Sequence, residues 1–167
     1  SAVAAIVAAN SLLDVPLRQS EALRYAVMGE AVASDAHHGD NVAPSMLGGL
    51  LLVSGGAQPR AHPIPIPPGV RCVLVRPDMR LDTRRSRAVL DRPYALSDIV
   101  TQSSNLAHFI AACFRGDLSE LSRCMRDVLI EPHRAALIPG FAAVQSAALE
   151  AGALGCSIAG GGPSIMA

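Results

Sequence analysis

Apolar residues recur along the chain with the spacing of helices, interrupted by short apolar runs that suit strands. Residues 1–13 are predicted to form a buried, alanine-rich helix, and residues 17–34 a second helix. In the second helix the positions i, i+3, i+4, i+7 and i+8 are Leu23, Ala26, Val27, Glu30 and Ala31. This spacing puts all of them on one face, so Glu30 lies on the apolar stripe.

Glu30 is a candidate functional residue because of its position on that stripe. Burial of an unpaired carboxylate is costly, so a cation, a metal ion or strong hydrogen-bond donors are expected near it. The alternative is that Glu30 lies at the edge of the stripe and reaches water.

The rest of the pattern predicts short strands mixed with helices. In chain order the predicted elements are a turn at 37–44, strands at 48–53 and 70–75, a short arginine-rich helix at 83–90, an amphipathic helix capped by Ser97, a helix opened by Asp117 and Glu120 that runs through Val128, a helix from Pro139 to Gly152, and a strand at 156–159. The predicted fold class is α+β, with antiparallel strands covered by helices in two layers.

A proline-rich stretch divides the chain. Residues 54–69 contain five prolines and three glycines, a composition typical of a linker. We therefore predict one domain at 1–58 and a second at 59–167. A chain of 167 residues can bury one sizeable core or parts of two small ones.

Composition and charge exclude several classes of function. The net charge is zero, which does not favour binding to nucleic acid or to an anionic membrane. All fourteen basic residues are arginines, which excludes a P-loop lysine or a Schiff-base lysine in this segment. The four cysteines are widely spaced, and this favours a reduced, cytoplasmic protein over a disulfide framework or a zinc site. The apolar run at 1–9 is too short to span a bilayer.

Both ends of the chain resemble internal sequence. The first residues already follow a helical pattern, and the last ones enter a strand, without the loose polar residues typical of natural termini. We expect the chain to be an internal segment of a longer protein.

Three consecutive glycines, Gly160, Gly161 and Gly162, follow the last predicted strand and precede Pro163. Because glycine lacks a Cβ, such a run lets the backbone approach a ligand closely, and successive N–H groups can receive an anion. The same run is also typical of an ordinary turn.

Several stretches together resemble the homoserine kinase family of the GHMP small-molecule kinase superfamily. They are Glu30; His38-x-Asp40-Asn41-Val-Ala-Pro44 with Gly48-Gly49; Arg87; Glu131-Pro-His-Arg134; Leu137-Ile-Pro-Gly-Phe141; and Glu150-Ala-Gly-Ala-Leu-Gly-Cys-Ser-Ile-Ala-Gly-Gly-Gly-Pro163. The glycine run alone indicates only the superfamily, whereas the His-Asp-Asn and Glu-Pro-x-Arg elements indicate the narrower family. One departure is Ala159-Gly-Gly-Gly, where the family usually has Ser-Gly-(Ala/Ser)-Gly.

The resemblance implies a fold and an activity. The fold would be the two-layer GHMP kinase fold, the end of a ribosomal-protein-S5-like domain followed by a ferredoxin-like domain, both incomplete. The activity would be ATP-dependent transfer of the γ-phosphate to the hydroxyl of L-homoserine, giving O-phospho-L-homoserine for threonine biosynthesis in the cytoplasm. The family's phosphate-binding loop would lie upstream of Ser1, so no ATP turnover is expected of this segment alone.

The resemblance also implies roles for individual residues. Glu30 would be a catalytic Mg²⁺ ligand. The substrate-binding residues would be His38, Asp40, Asn41, Arg87 and Arg134, with the two arginines on the homoserine carboxylate. Gly160, Gly161 and Gly162 would support the phosphate loop.

Other interpretations stay open. Asp40 and Asn41 can simply shape a turn, and a metal site on His37 and His38 is disfavoured because adjacent histidines rarely face one ion. A mevalonate-type or sugar kinase is an alternative, although a neutral sugar would not require paired arginines. A catalytically dead, ligand-binding relative is another. The partner is expected to be a small molecule, not nucleic acid or membrane, and a homodimer is left open.

Overall fold

The computed structural model describes residues 2–34, 39–56 and 58–167, which form two compact units within 1–66 and 67–167. The first unit contains α1 (Ala2–Asn10), α2 (Gln19–Ser34), α3 (Gly39–Leu47), β1 (Leu50–Val53) and β2 (Ala61–Ile64). The second contains β3 (Leu74–Val75), α4 (Thr83–Ala88), α5 (Leu96–Arg115), α6 (Leu118–Cys124), α7 (Glu131–Arg134), a 3₁₀ turn (Ala135–Leu137), α8 (Phe141–Glu150), β4 (Ser157–Ile158) and β5 (Ile165–Met166).

The core of the first unit lies between α2 and α3. Its buried residues are Leu23, Ala26, Val27, Val42 and Ala43, and the hairpin of β1 and β2 covers it through partly buried side chains. The predicted stripe of α2 is confirmed, since three of its members are buried here. The prediction of a buried first helix is wrong, because no residue of α1 is buried and only its Val3 and Ile6 pack against the core.

Helix α3 lies where the sequence predicted a turn. The stretch predicted as a turn at 37–44 contains the start of α3, which forms because Val42 and Ala43 gain burial against α2. Gly39 suits this position, since a Cβ there would lie 3.2 Å from both Pro59 Cβ and Val53 Cγ1.

The predicted linker contains a strand. Residues 61–64 pair antiparallel with β1, Leu50 opposite Ile64 and Val53 opposite Ala61. Pro63 was one of the prolines that favoured a linker over a strand at this point. Its missing N–H is tolerated in β2 because a strand with an unpaired edge does not need every N–H for pairing. Within the described residues β2 pairs with β1 alone. This hairpin therefore keeps 61–64 with the first unit.

The second unit is built on a three-stranded antiparallel sheet in the order β3-β5-β4. Its core cluster consists of Ile138, Phe141, Cys156, Ile158 and Ile165. Helices α5 and α6 are connected through Gly116. This glycine ends α5 with a left-handed φ of 67°. Asp117 then caps α6 as predicted, accepting the Glu120 N–H over 3.0 Å.

Three boundaries in the second unit correct the prediction. Helix α5 begins at Leu96 with Ala95 as its N-cap, so Ser97 is inside the helix. Helix α6 ends at Cys124 and does not reach Val128, whose N–H bonds the side chain of Gln102 instead. Helix α8 begins at Phe141 after Gly140, two residues later than Pro139.

Candidate functional site

The first unit carries three of the predicted site residues that the structure describes. Glu30 is partly buried on α2, one turn beyond the buried Ala26 and Val27. Its place on the apolar stripe is the one that the helical spacing predicted, and its partial burial is closer to the alternative of a position at the edge of the stripe. Asp40 and Asn41 are exposed in the first turn of α3, so they lie on a helix and not in the expected turn. His38 lies outside the described residues.

The second unit brings Arg134 to the triple-glycine loop. The guanidinium donates from Nη1 to the carbonyl oxygen of Gly160 over 2.9 Å and from Nε to that of Ser86 over 3.3 Å. Ser86 in turn donates from Oγ to the carbonyl oxygen of Gly161 over 2.6 Å. Helix α4, helix α7 and the glycine loop are thus joined through one polar cluster.

The glycine loop connects β4 to β5. It is closed by hydrogen bonds from Ala159 N–H to Ser164 O and from Gly162 N–H to Ala159 O, 2.8 and 3.0 Å long. Gly160 and Gly162 have positive φ angles of 58° and 80°, which side-chain-bearing residues rarely adopt. The turn interpretation of this run is therefore correct for its backbone, and the exposed Gly160 and Gly161 leave the loop accessible.

Arg87, the second predicted carboxylate ligand, is exposed in the last turn of α4. The helix is fixed at its start by Asp82, whose Oδ1 accepts the N–H groups of Arg84 and Arg85 over 2.7 and 3.2 Å. This cap orients the same helix that presents Ser86 to the glycine loop.

Glu131 is a structural residue whose individual role sequence reasoning missed. Its Oε1 accepts from Gln145 Nε2 over 2.9 Å, and its Oε2 accepts from Ser157 Oγ and the Ile158 N–H. These bonds attach α7 to α8 and to β4. Pro132 favours a helix start at this point of the sequence, but the partners of Glu131 lie 14 to 27 residues away and leave no local signal.

The start of α7 is also fixed from the preceding loop. Asp127 accepts the N–H groups of Leu129 and Ile130, both over 2.8 Å, and that of Glu131 over 3.1 Å. A carboxylate that accepts three backbone N–H groups satisfies donors that a helix leaves unpaired at its N-terminus. These bonds anchor the start of α7, the helix that carries both Glu131 and Arg134.

The thiol pKa values of buried cysteines in the second unit are raised, which lowers their thiolate fraction. Burial raises the pKa of the Cys156 thiol, with the negative charge of Glu131 adding to the effect, and burial likewise raises the pKa of Cys113.

One group of potential metal ligands lies elsewhere in the second unit. Among the described residues, His108, Glu120 and Cys124 have ligand atoms within 4.8 Å of one another. Glu120 already bonds His108 Nδ1 and Arg123 Nη2, each over 2.6 Å. Its pKa is lowered mainly by the hydrogen bond from Arg123 and next by the one with His108. A set of one nitrogen, one sulfur and one carboxylate oxygen does not suit Mg²⁺, which prefers oxygen ligands throughout.

No helix in the described part of the chain combines the length and the apolar character needed to cross a bilayer.

Comparison with known proteins places these features in a family. A family model described as the GHMP kinases N terminal domain matches residues 1–49, and one described as GHMP kinases C terminal matches residues 109–167. Over all 167 residues the chain is 53% identical to the homoserine kinase of Xylella fastidiosa and 48% identical to that of Xanthomonas campestris. The chain spans about half the length of these curated relatives, 51% in each case.

A solved structure supports the same relationship. The crystal structure of homoserine kinase from Cytophaga hutchinsonii matches 98% of this chain with a TM-score of 0.93 and 39% identity, and the match covers 52% of that protein. The predicted α+β fold of GHMP kinases is thereby confirmed. With GHMP kinase models matching toward both ends and homoserine kinases aligned along its whole length, the chain belongs to the GHMP kinase family.

Proposed function

We propose that the protein carrying this chain is an ATP-dependent homoserine kinase, which transfers the γ-phosphoryl group of ATP to the hydroxyl of L-homoserine. The observation that carries the proposal is the 53% identity to a homoserine kinase over all 167 residues. The arginine held at the glycine loop supports it, because an amino-acid substrate requires a cation for its carboxylate.

Arg134 and Arg87 are the proposed carboxylate ligands. Arginine suits this task because its planar fork matches the geometry of a carboxylate. Two of the five N–H groups of Arg134 are bonded to Gly160 and Ser86, which leaves three for a substrate. The hydrogen bonds to the two backbone carbonyls thus orient the guanidinium, and its remaining N–H groups can donate to a carboxylate. Asp40 and Asn41, together with His38, are proposed to contact the rest of homoserine.

Glu30 is the proposed ligand for Mg²⁺, which would neutralise charge on the ATP phosphates when bound. The donor chemistry fits, since a partly buried carboxylate supplies the oxygen ligand that Mg²⁺ prefers. The accessible glycine loop is proposed to support the loop that holds these phosphates.

The reaction needs positioning more than proton abstraction. The hydroxyl oxygen of homoserine forms a bond to the γ-phosphorus as the bond to the ADP oxygen breaks, and the hydroxyl proton is lost to solvent. Phosphoryl transfer of this kind is accelerated mainly by in-line placement of the acceptor and by stabilisation of phosphoryl charge. We therefore assign carboxylate recognition to the two arginines and assign no general base.

A reduced, cytoplasmic location is part of the proposal. All four cysteines, Cys72, Cys113, Cys124 and Cys156, are free thiols in the structure, a state typical of reducing compartments.

Product analysis by the intact protein tests the function. The protein is incubated with ATP, Mg²⁺ and either homoserine, mevalonate or galactose, and phosphorylated products are identified by mass spectrometry. We expect O-phosphohomoserine from the first mixture and no product from the other two. Phosphorylation of mevalonate or galactose instead would transfer the assignment to another GHMP kinase activity. No turnover of any of the three would favour a ligand-binding relative without catalysis.

A further inference from the structure

Ser86 is the one buried polar residue among the described positions that touches both Arg134 and the glycine loop. Its side chain is fully enclosed, with the residue 1% exposed. Its hydroxyl donates to the Gly161 carbonyl over 2.6 Å, and its own carbonyl accepts from Arg134 Nε over 3.3 Å. No family motif in the sequence drew attention to this residue.

We propose that Ser86 is a positioning residue for substrate recognition, which holds the glycine loop and the Arg134 guanidinium in one fixed arrangement. The inference deepens the proposed function and rests on it, since the group that Arg134 binds there is the homoserine carboxylate. Ser86 itself does not contact substrate in this role.

The loop needs an external support because its own composition provides little stiffness. Glycine loses more conformational freedom on ordering than any other residue, and three of them occur in succession here. Ala159, which precedes them, has no hydroxyl to bond the loop internally. The Ser86 hydroxyl provides a bond of this kind from α4, a helix that Asp82 caps at its start.

The same bond fixes Arg134 indirectly. Gly160 accepts from Arg134 Nη1, and Gly161, the next residue, accepts from Ser86 Oγ. Movement of the loop after loss of the hydroxyl would therefore carry the Gly160 carbonyl away from the guanidinium. Arg134 is proposed to contact the carboxylate of homoserine and not its reacting hydroxyl, so a shift of the guanidinium is expected to weaken homoserine binding and to raise KM.

Kinetics of the intact protein test this role, with Ser86→Ala as the variant and Ser103→Ala as its matched control. Ser103 lies exposed on α5, and its hydroxyl bonds only the Ile99 carbonyl of the same helix. We expect Ser86→Ala to raise the homoserine KM about fivefold while kcat changes less than about twofold. The control should leave both parameters unchanged.

A double-mutant cycle separates positioning from a general structural effect. If Ser86 acts through Arg134, Ser86→Ala should change the homoserine KM less than about twofold in an Arg134→Lys background. An equal effect in both backgrounds would overturn the proposal. If Ser86→Ala does not fold, Ser86→Cys, whose thiol is a weak donor, is measured in the same cycle with the same criteria.

The outcomes distinguish this inference from the proposed function. A parent protein that phosphorylates homoserine, combined with an unchanged KM in Ser86→Ala, refutes the positioning role alone. A parent protein that does not phosphorylate homoserine refutes both.

Discussion

The Nη1 atom of Arg134 lies 2.9 Å from the carbonyl oxygen of Gly160 and donates a hydrogen bond to it. The bond joins the end of α7 to the loop between β4 and β5, two elements 26 residues apart in sequence. A cation predicted from sequence to bind substrate therefore also has a structural partner. This double use leads to the first prediction.

Arg134→Lys should raise the homoserine KM of the intact protein by about tenfold or more, because charged hydrogen bonds are lost. Lysine has one ammonium group, which cannot bond the two backbone carbonyls and a carboxylate with the geometry of a planar fork. Steady-state kinetics with varied homoserine measure the effect.

Arg84→Lys is the control for that substitution. Arg84 is exposed on α4 and is tied to Asp82 through its backbone N–H, which the substitution retains. Its KM should match the parent. An Arg134→Lys KM within about twofold of the parent would reject the carboxylate assignment.

Gly161 and Gly162 are neighbours with different steric requirements, which gives the second prediction. Gly162 has a φ of 80°, and a Cβ there would lie 3.0 Å from Ile138 Cδ1, whereas a Cβ on Gly161 would meet only Ser86 Oγ at 3.6 Å. We expect Gly162→Ala to lower the free energy of unfolding by about 1–3 kcal/mol. Gly161→Ala should change it by less than about 0.5 kcal/mol.

Urea denaturation of the intact protein and both variants provides the measurement. Equal losses in the two variants would contradict the difference in backbone conformation and space between Gly161 and Gly162. Because both changes add the same methyl group, a difference between them reports backbone conformation and local space.

The third prediction concerns Glu131, which accepts hydrogen bonds from Gln145, Ser157 and Ile158. Glu131→Ala should lower the free energy of unfolding by about 2 kcal/mol, since several bonds to a partly buried charged group are lost together. Glu150→Ala is the control, because Glu150 is exposed and accepts from Ser146 on the same helix. A thermal shift no larger in Glu131→Ala than in the control would contradict the anchoring role.

Helical periodicity predicted what depends on local sequence. The stripe of α2 was predictable because Leu23, Ala26 and Val27 recur at helical spacing, and the Asp117 cap because its partner lies three residues away. Such features need no knowledge of distant contacts.

The features that were missed depend on distant contacts. Strand β2 forms in a proline-rich stretch because β1 pairs with it, and α3 forms because Val42 and Ala43 are buried against another helix. The links from Ser86 to Gly161 and from Arg134 to Gly160 span 75 and 26 residues. Periodicity carries no information about such pairs, so the resemblance identified Arg134 but not its supports.

The fourth prediction tests the metal assignment of Glu30. Glu30→Gln in the intact protein should lower kcat by roughly a hundredfold or more, because the neutral amide is a weaker Mg²⁺ ligand and less phosphate charge is neutralised. Homoserine binding, measured by calorimetry without ATP, should stay within about twofold of the parent if Glu30 has no part in substrate recognition. Glu21→Gln makes the same chemical change earlier on α2, at a residue whose pKa Arg18 lowers to about 2. Its kcat should equal that of the parent. If Glu30→Gln also keeps the parental kcat, Glu30 does not belong to the metal site.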